Sequence, residues 1–238
     1  MVHLDVVATD LPVALADVRW DTAPSHRVEL HIRTRRAPPG WSLVTLEQVV
    51  VGAGFSVLGA VGDGHQTVVQ ACREMSLADT VAPGMQLLFC GLNPSIYAAE
   101  RGIAFARPGN RFWPALRASG LVGADRDPLD ALRSHGVGLT DLVKRATARS
   151  AELAPGEYGH GLRRVEHLVR WLRPGVVCFV GLEGWRAAVD RAAAAGPVAG
   201  GLGGRPLYLM PSTSGLNARS SLAGLVDHMM RARALSKA

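Results

Sequence analysis

Three short runs of this 238-residue chain are almost wholly apolar: "QLLFC" (86–90), "GVVCFVG" (175–181) and "RPLYLM" (205–210). A strand without polar alternation is buried on both faces, which is the signature of a covered parallel sheet. Helical stretches separate these runs. "RFWPALRAS" (111–119) follows Asn110 as N-cap and ends before Gly120. "PLDALRSH" (128–135) reads as a second helix. In "GHGLRRVEHLVRWLR" (159–173), Leu162, Val165, Leu168, Val169 and Leu172 fall on one helical face, with Arg163, Arg164, Arg170 and Arg173 on the other side. "LEGWRAAVDRAAA" and "SSLAGLVDHMMRARAL" complete the set, and "GLTDLV" (138–143) is a short apolar stretch turning into a loop. Strands alternating with helices predict an α/β fold whose parallel sheet is covered on both faces. In such a sheet the site lies beyond the carboxyl ends of the strands. The segments 91–110, 140–150 and 211–220 all fall there, whereas the Ala/Gly-rich 192–204 reads as a loop.

The first part of the chain is different. "HRVELHIRTRR" alternates like a half-buried strand, "SLVTLEQVVVGAGF" reads as a helix capped by Ser42 and ended at Gly52 or Gly54, and "SVLGAVGDGHQTVVQACR" reads as two strands around a Gly-Asp-Gly turn. This strand–helix–strand–strand piece resembles the C-terminal end of a nucleotide-type methyltransferase fold, but the glycine-rich cofactor loop is absent. Residues 1–78 are therefore expected to form a small α/β extension without chemistry of its own, ahead of a main domain over 79–238, with "SLADTVAPG" as linker. Charge divides in a similar place. Residues 1–84 hold six arginines against nine acids, a net of −3; residues 85–238 hold twenty Lys+Arg, eighteen of them Arg, against eleven acids, a net of +9. A basic second part favours a polyanion partner, and arginine favours bidentate phosphate contacts. No apolar run approaches the roughly 18 residues needed to span a bilayer. "MVHLDVVATDL" carries acids where a secretory leader has a basic and then an apolar region. The expectation is a cytoplasmic protein that does not engage a membrane. Cys72, Cys90 and Cys178 are too few and too scattered for an iron–sulfur cluster and read as buried free thiols.

The least ordinary stretch is residues 91–121, "GLNPSIYAAERGIAFARPGNRFWPALRASGL". It resembles the first motif of the mismatch-specific uracil/thymine-DNA glycosylases, the family of the bacterial double-strand uracil-DNA glycosylases. "MPSTSGLN" (210–217) resembles that family's second motif, and "GLTDLVKRATARSAEL" (138–153) matches its intermediate segment in order and spacing. The resemblance covers about residues 80–236. It implies a three-layer αβα sandwich with a central parallel sheet. It also implies cleavage of the N-glycosidic bond of uracil in double-stranded DNA, especially opposite guanine, from a nucleotide flipped out of the stack.

Carried onto this chain, the resemblance makes Asn93 the water-orienting residue. Its amide oxygen can aim a water at the sugar C1′, but an amide is no strong base, so Asn implies positioning and a slow enzyme where Asp would be a true base. Gly91 and Leu92 lead into it on the base-binding side. Phe105 is the ring that stacks on the base, worth roughly 1–3 kcal/mol, and Ala98 is the small residue near the base C5 position. Asp141 stands where the family more often has Asn or Lys. A carboxylate there can accept from uracil N3–H but repels a developing uracil anion. Thr147 is a further pocket candidate. Leu216, between Gly215 and Asn217, is the wedge that fills the gap left by the flipped base. Ser212, Thr213 and Ser214 offer hydroxyl and backbone N–H groups to a phosphate, and Arg219 and Lys144 are further DNA contacts. Asn110, Arg111 and Trp113 are expected to support the loop, Trp113 from a buried position.

The second motif has no His, as is normal for the mismatch family, and reads Ser-Thr-Ser where bacterial members often have Asn-Pro-Ser. No lysine lies within the matched site motifs, so a Schiff base with the sugar is not expected. The His-x-Glu and Pro-Cys-x-x-Cys of zinc deaminases are absent, and the acids are too scattered for a two-metal nuclease. The reading is a monomeric, monofunctional glycosylase that needs no metal and no cofactor. A protein that kept the fold and the wedge but lost turnover would be a damage-binding protein; Asn93, Phe105 and Leu216 occurring together argue for turnover.

Overall fold

The computed structural model describes residues 1–236. The N-terminal unit runs β1 (Val2–Val7), α1 (Leu11–Asp21), β2 (Arg27–Arg35), α2 (Leu43–Gly52), β3 (Phe55–Gly62) and β4 (Gln66–Arg73). The sequence reading omitted β1 and α1. β2 alternates as expected, burying Val28, Leu30, Ile32 and Thr34. The four strands form one sheet in the order β1-β2-β4-β3, with β1 parallel to β2 and the other pairs antiparallel. Its core gathers Leu11 and Leu15 of α1, Leu46, Val49 and Val50 of α2, and Leu30 and Val69 of the sheet.

The second sheet is built from β5 (Leu87–Gly91), β6 (Val137–Asp141), β7 (Val176–Val180), β8 (Gly196–Leu202) and β9 (Arg205–Met210), in the order β6-β5-β7-β9-β8. β6, β5, β7 and β9 are parallel. β8 is antiparallel to β9, so the sheet is parallel in its body and not at that edge. β8 occupies the stretch expected as a loop; its glycines hide the strand pattern, and pairing along one side of β9 is what makes it a strand. Every residue of β5, β6 and β7 is buried. The helices are α3 (Ile96–Arg101), α4 (Phe112–Ala118), α5 (Pro128–His135), α6 (Pro155–Leu172), α7 (Glu183–Ala188) and α8 (Leu222–Leu235). α4 and α8 cover one face, packing on Phe89, Cys178, Tyr208 and Met210. α6 and α7 cover the other, packing on Leu88, Cys90, Phe179 and Leu209. The result is the three-layer αβα sandwich, preceded by the smaller α/β unit.

Several element ends differ from expectation. α6 starts at Pro155, four residues early, because proline is preorganised for the first helical turn. α4 starts at Phe112, one residue late; Asn110 Oδ1 still accepts from the Phe112 N–H at 2.9 Å. α3 lies in a stretch expected to be loop, although Ser95 caps it and left-handed Gly102 ends it. β5 lies between β6 and β7, so the chain leaves it toward one neighbour and later returns to the other. This is a topological switch point, and it opens a crevice at the carboxyl ends of β5 and β7.

Candidate active site at the carboxyl edge of the sheet

An open cavity of about 690 Å³ fills that crevice. Asn93, Ala98, Phe105, Asp141 and Thr147 line it, with Ser212, Ser214, Leu216 and Asn217 on the far rim. A smaller pocket of about 160 Å³ adjoins it between β5 and β7, lined by Gly91, Gly181 and Gly184 and sharing Leu92 and Ser212 with the larger one. The sequence candidates from three separate segments thus converge.

Gly91 is the floor. A Cβ there would stand 2.5 Å from Asp141 Oδ1 and 3.2 Å from Phe105 Cζ. Only a residue without a side chain lets the carboxylate and the ring both close on the end of β5. Phe105 is stacked on Phe112 with centroids 4.0 Å apart and planes at 18°. Its backbone is left-handed, φ 57°, which for a bulky residue costs on the order of 1–3 kcal/mol. The loop that enforces it is pinned by Trp113, whose Nε1 donates to the Ala104 carbonyl at 2.7 Å from a buried position.

Two residues past Gly91 sits Asn93. Its Nδ2 donates to the carbonyl of Arg145 (3.0 Å), to Thr147 Oγ1 (2.8 Å) and to the carbonyl of Pro94 (3.2 Å). Carbonyl oxygens can only accept, so the nitrogen must face them. The amide oxygen is left over as the acceptor, and no donor among the described residues takes it. Thr147, a weak candidate from sequence, is thereby the partner that fixes the amide.

Asp141 is 5% exposed, and its carboxylate accepts no hydrogen bond among the described residues. Burial pushes its pKa up; Lys144 and Arg164 pull it down and Asp79 pushes it up, leaving it at about 6. Burial pushes up Asp79 as well, but the Arg164 guanidinium and the Lys144 ammonium, each 2.7 Å away, outweigh it and hold that carboxyl low. Lys144 is therefore not available to a phosphate: it is mostly buried and spent on Asp79. Arg164 was expected on the solvent side of α6. It is 5% exposed and also donates to Thr140 Oγ1 and the Asp141 carbonyl.

The rim loop 211–220 is organised by Arg111. Its guanidinium donates to the carbonyls of Asn217 (2.6 Å), Ser214 (3.2 Å) and Ser220, and its N–H donates to the Thr213 carbonyl (2.9 Å). Leu216 stands at the tip, 89% exposed. Thr213, expected at a phosphate, is 1% exposed and points inward. Ser212 Oγ accepts from the Ser214 N–H, Ser214 Oγ accepts from the Leu216 N–H, and Asn217 Nδ2 donates to the Ser212 carbonyl. These side chains shape the loop. Gly215 approaches the Gly109 carbonyl, which ties the two motif loops together. Arg219 is exposed on the same loop, and Arg107 and Arg149 are exposed at the cavity mouth; none forms an ion pair among the described residues. Arg107 and Arg149 were missed from sequence, where nothing distinguishes them from the chain's other arginines.

The uracil DNA glycosylase superfamily model matches residues 78–233, well over half of the chain. The chain belongs to that superfamily. Its members are DNA glycosylases, hydrolases that cut the bond between base and sugar, and DNA is their substrate. A general uracil-glycosylase role follows, with the cavity at the β5–β7 switch point as the candidate active site. A solution NMR structure of a candidate uracil DNA glycosylase from Methanosarcina acetivorans is similar at 21% identity and a TM-score of 0.47, over 67% of this chain and 96% of that one.

Proposed function

We propose that this superfamily member is a monofunctional glycosylase of the mismatch-specific uracil/thymine type. It hydrolyses the N-glycosidic bond of uracil in double-stranded DNA, at G·U mismatches and related damaged bases, and leaves an abasic site. Residues 79–238 are the catalytic unit, and the protein works as a monomer in the cytoplasm. The observation that carries the reading is the amide of Asn93, whose nitrogen is consumed by three acceptors so that its oxygen is presented to the cavity. That oxygen accepts a hydrogen bond from water and directs the water oxygen to C1′. The C1′–N bond breaks with its electron pair on uracil, and the water proton is released. The flipped base lies against Phe105 with its polar edge toward Asp141. Leu216 enters the vacated stack, and Arg107, Arg149 and Arg219 meet phosphates. With Lys144 held on Asp79, no lysine amine among the described residues is placed for a Schiff base, which supports simple hydrolysis.

The test is single-turnover cleavage of a duplex bearing one G·U pair, with EDTA present, beside Asn93→Ala. Wild type should generate alkali-labile sites, faster opposite G than opposite A. The variant should lose about 10²-fold in rate while still binding the duplex. Tight mismatch binding without product at enzyme excess would replace this reading with that of a damage-binding protein.

A further inference from the structure

Besides packing on α6, the N-terminal unit reaches two segments that frame the cavity. The first is the loop after β6, whose Arg145 carbonyl and Thr147 hydroxyl fix the Asn93 amide. On its inner side this loop is tied to the motif strand, through the Val143 N–H to the Leu92 carbonyl and the Thr147 N–H to the Pro94 carbonyl. On its outer side it is tied to the junction that follows β4. The Ala146 N–H donates to the Met75 carbonyl at 2.9 Å, and Lys144 pairs with Asp79 at 2.7 Å. That junction is held by the N-terminal unit in turn: the Asp79 N–H donates to the Gly52 carbonyl at 2.9 Å, and the Glu74 N–H to the Gly54 carbonyl at 3.0 Å. A Cβ on Gly52 would stand 2.5 Å from Asp79 Oδ2, so α2 ends directly against the ion pair.

The second segment is α3, which carries Ala98 into the cavity. Arg19, in the last turn of α1, is 2% exposed, and its Nη2 donates both to the Ser76 carbonyl and to the Ala99 carbonyl, the latter at 3.1 Å. Arg19 has no carboxylate partner among the described residues; those two carbonyls, one in the junction and one in α3, are its acceptors. A buried guanidinium is costly unless its donors are used. Here Nη2 is spent on joining the N-terminal unit to both sides of the cavity, while the buried Nε has no partner among the described residues. Trp20, the next residue, lies over Gly102 at the end of α3.

We infer that the N-terminal α/β unit is a brace for base excision, with Arg19 and Lys144 as positioning residues that hold α3 and the 142–147 loop around Asn93. The inference rests on the reading of Asn93 given above and extends it to a unit that lies outside the superfamily match. The brace keeps one amide orientation populated, because the 142–147 loop moving away removes two of the three acceptors that hold the Asn93 nitrogen.

The experiment uses the full-length protein with Arg19→Met, Arg19→Lys and Lys144→Met. The last leaves Asp79 paired with Arg164, and so remains informative if Arg19→Met fails to fold. Hydrogen exchange is measured residue by residue, together with single-turnover rates and affinity for a non-cleavable 2′-fluorouridine G·U duplex. The brace predicts exchange about 10-fold faster in 96–103 and 143–147 while β5, β7 and β9 keep their protection. It predicts a maximal rate lower by about 10-fold or more with duplex affinity unchanged, and partial recovery with Lys at position 19. Uniformly faster exchange, unchanged exchange in the two segments, or an unchanged rate would each overturn it. If wild type releases no uracil, the uracil reading fails on its own, and the exchange pattern still decides whether the unit holds these segments.

Discussion

The carboxyl group of Asp141 is the least expected chemistry in the site. Uracil departs carrying negative charge, and an ionised carboxylate beside it raises the barrier, whereas a protonated one donates a hydrogen bond and lowers it. With Lys144, Arg164 and Asp79 around it and a pKa of about 6, Asp141 changes form within the working range. Single-turnover rates should therefore rise as pH falls from 8 through about 6. The substitution Asp141→Asn puts an amide there that is neutral at every pH; that variant should show a flatter profile and exceed wild type at pH 8 by on the order of 10-fold. Stability follows the same sign. The folded state binds this proton more tightly than the unfolded chain, whose pKa is 3.8, so the contribution is complete below that value and lost as pH rises through about 6. The variant should melt higher than wild type at pH 8. Gly91 gives a second residue-scale test. In Gly91→Ala the new methyl meets the carboxylate and the Phe105 ring, and affinity for the uracil duplex should fall at least 10-fold, read as a raised half-saturation in single-turnover assays.

At the scale of elements, the rim loop and the first-motif loop work as a pair. The sequence offered Leu216 as a wedge because an apolar residue between Gly and Asn has no core to join. It offered nothing about what holds the loop, because Arg111 reaches its acceptors from more than 100 positions away. Flipping a base from a sound A·U pair costs more than from G·U, so if Leu216 fills the vacated stack as proposed, it matters most where pairing is strongest. Leu216→Ala should slow cleavage of A·U duplexes more than G·U duplexes, by about 10-fold in the ratio. Arg111→Ala should reproduce that ratio with Leu216 still present, since the tip loses its support. Equal losses on both duplexes would mean that the loop binds backbone and does not fill the stack.

For the whole molecule, the N-terminal unit packs on the second unit, and the junction between them is anchored to the second unit by charge. The Trp41 and Trp171 rings meet at 5.0 Å across the contact between the N-terminal unit and α6. Asp79 collects Arg164 from α6, Thr140 from β6 and Lys144 from the following loop. Removing one partner of such a buried cluster strands the rest. Asp79→Ala should lower unfolding free energy by about 3–5 kcal/mol, measured by urea denaturation. The loss should be smaller for Lys144→Met, which leaves the Asp79–Arg164 pair intact.

Local periodicity and the motif residues were enough to establish three of the four parallel strands of the second sheet, most of its helices and the segments that border the cavity; β6 read only as a short apolar stretch turning into a loop. Those features are written in short-range patterns: apolar runs for doubly buried strands, 3.6-residue spacing for α6, Gly and Pro at the breaks. The tertiary structure alone decided which atoms meet. Lys144 and Thr213 were assigned to DNA because their types suit phosphates, but their surroundings turn one to Asp79 and the other into the protein. Arg164 fitted a solvent face until an acid 85 positions earlier drew it inward. β1, α1 and β8 escaped because their patterns are weak and their pairing is distant. The Asn93 amide is the clearest case. Its place was legible in Gly-Leu-Asn-Pro, but which of its two ends faces the cavity is set by a carbonyl 52 positions along the chain, and only folding brings that carbonyl within 3.0 Å.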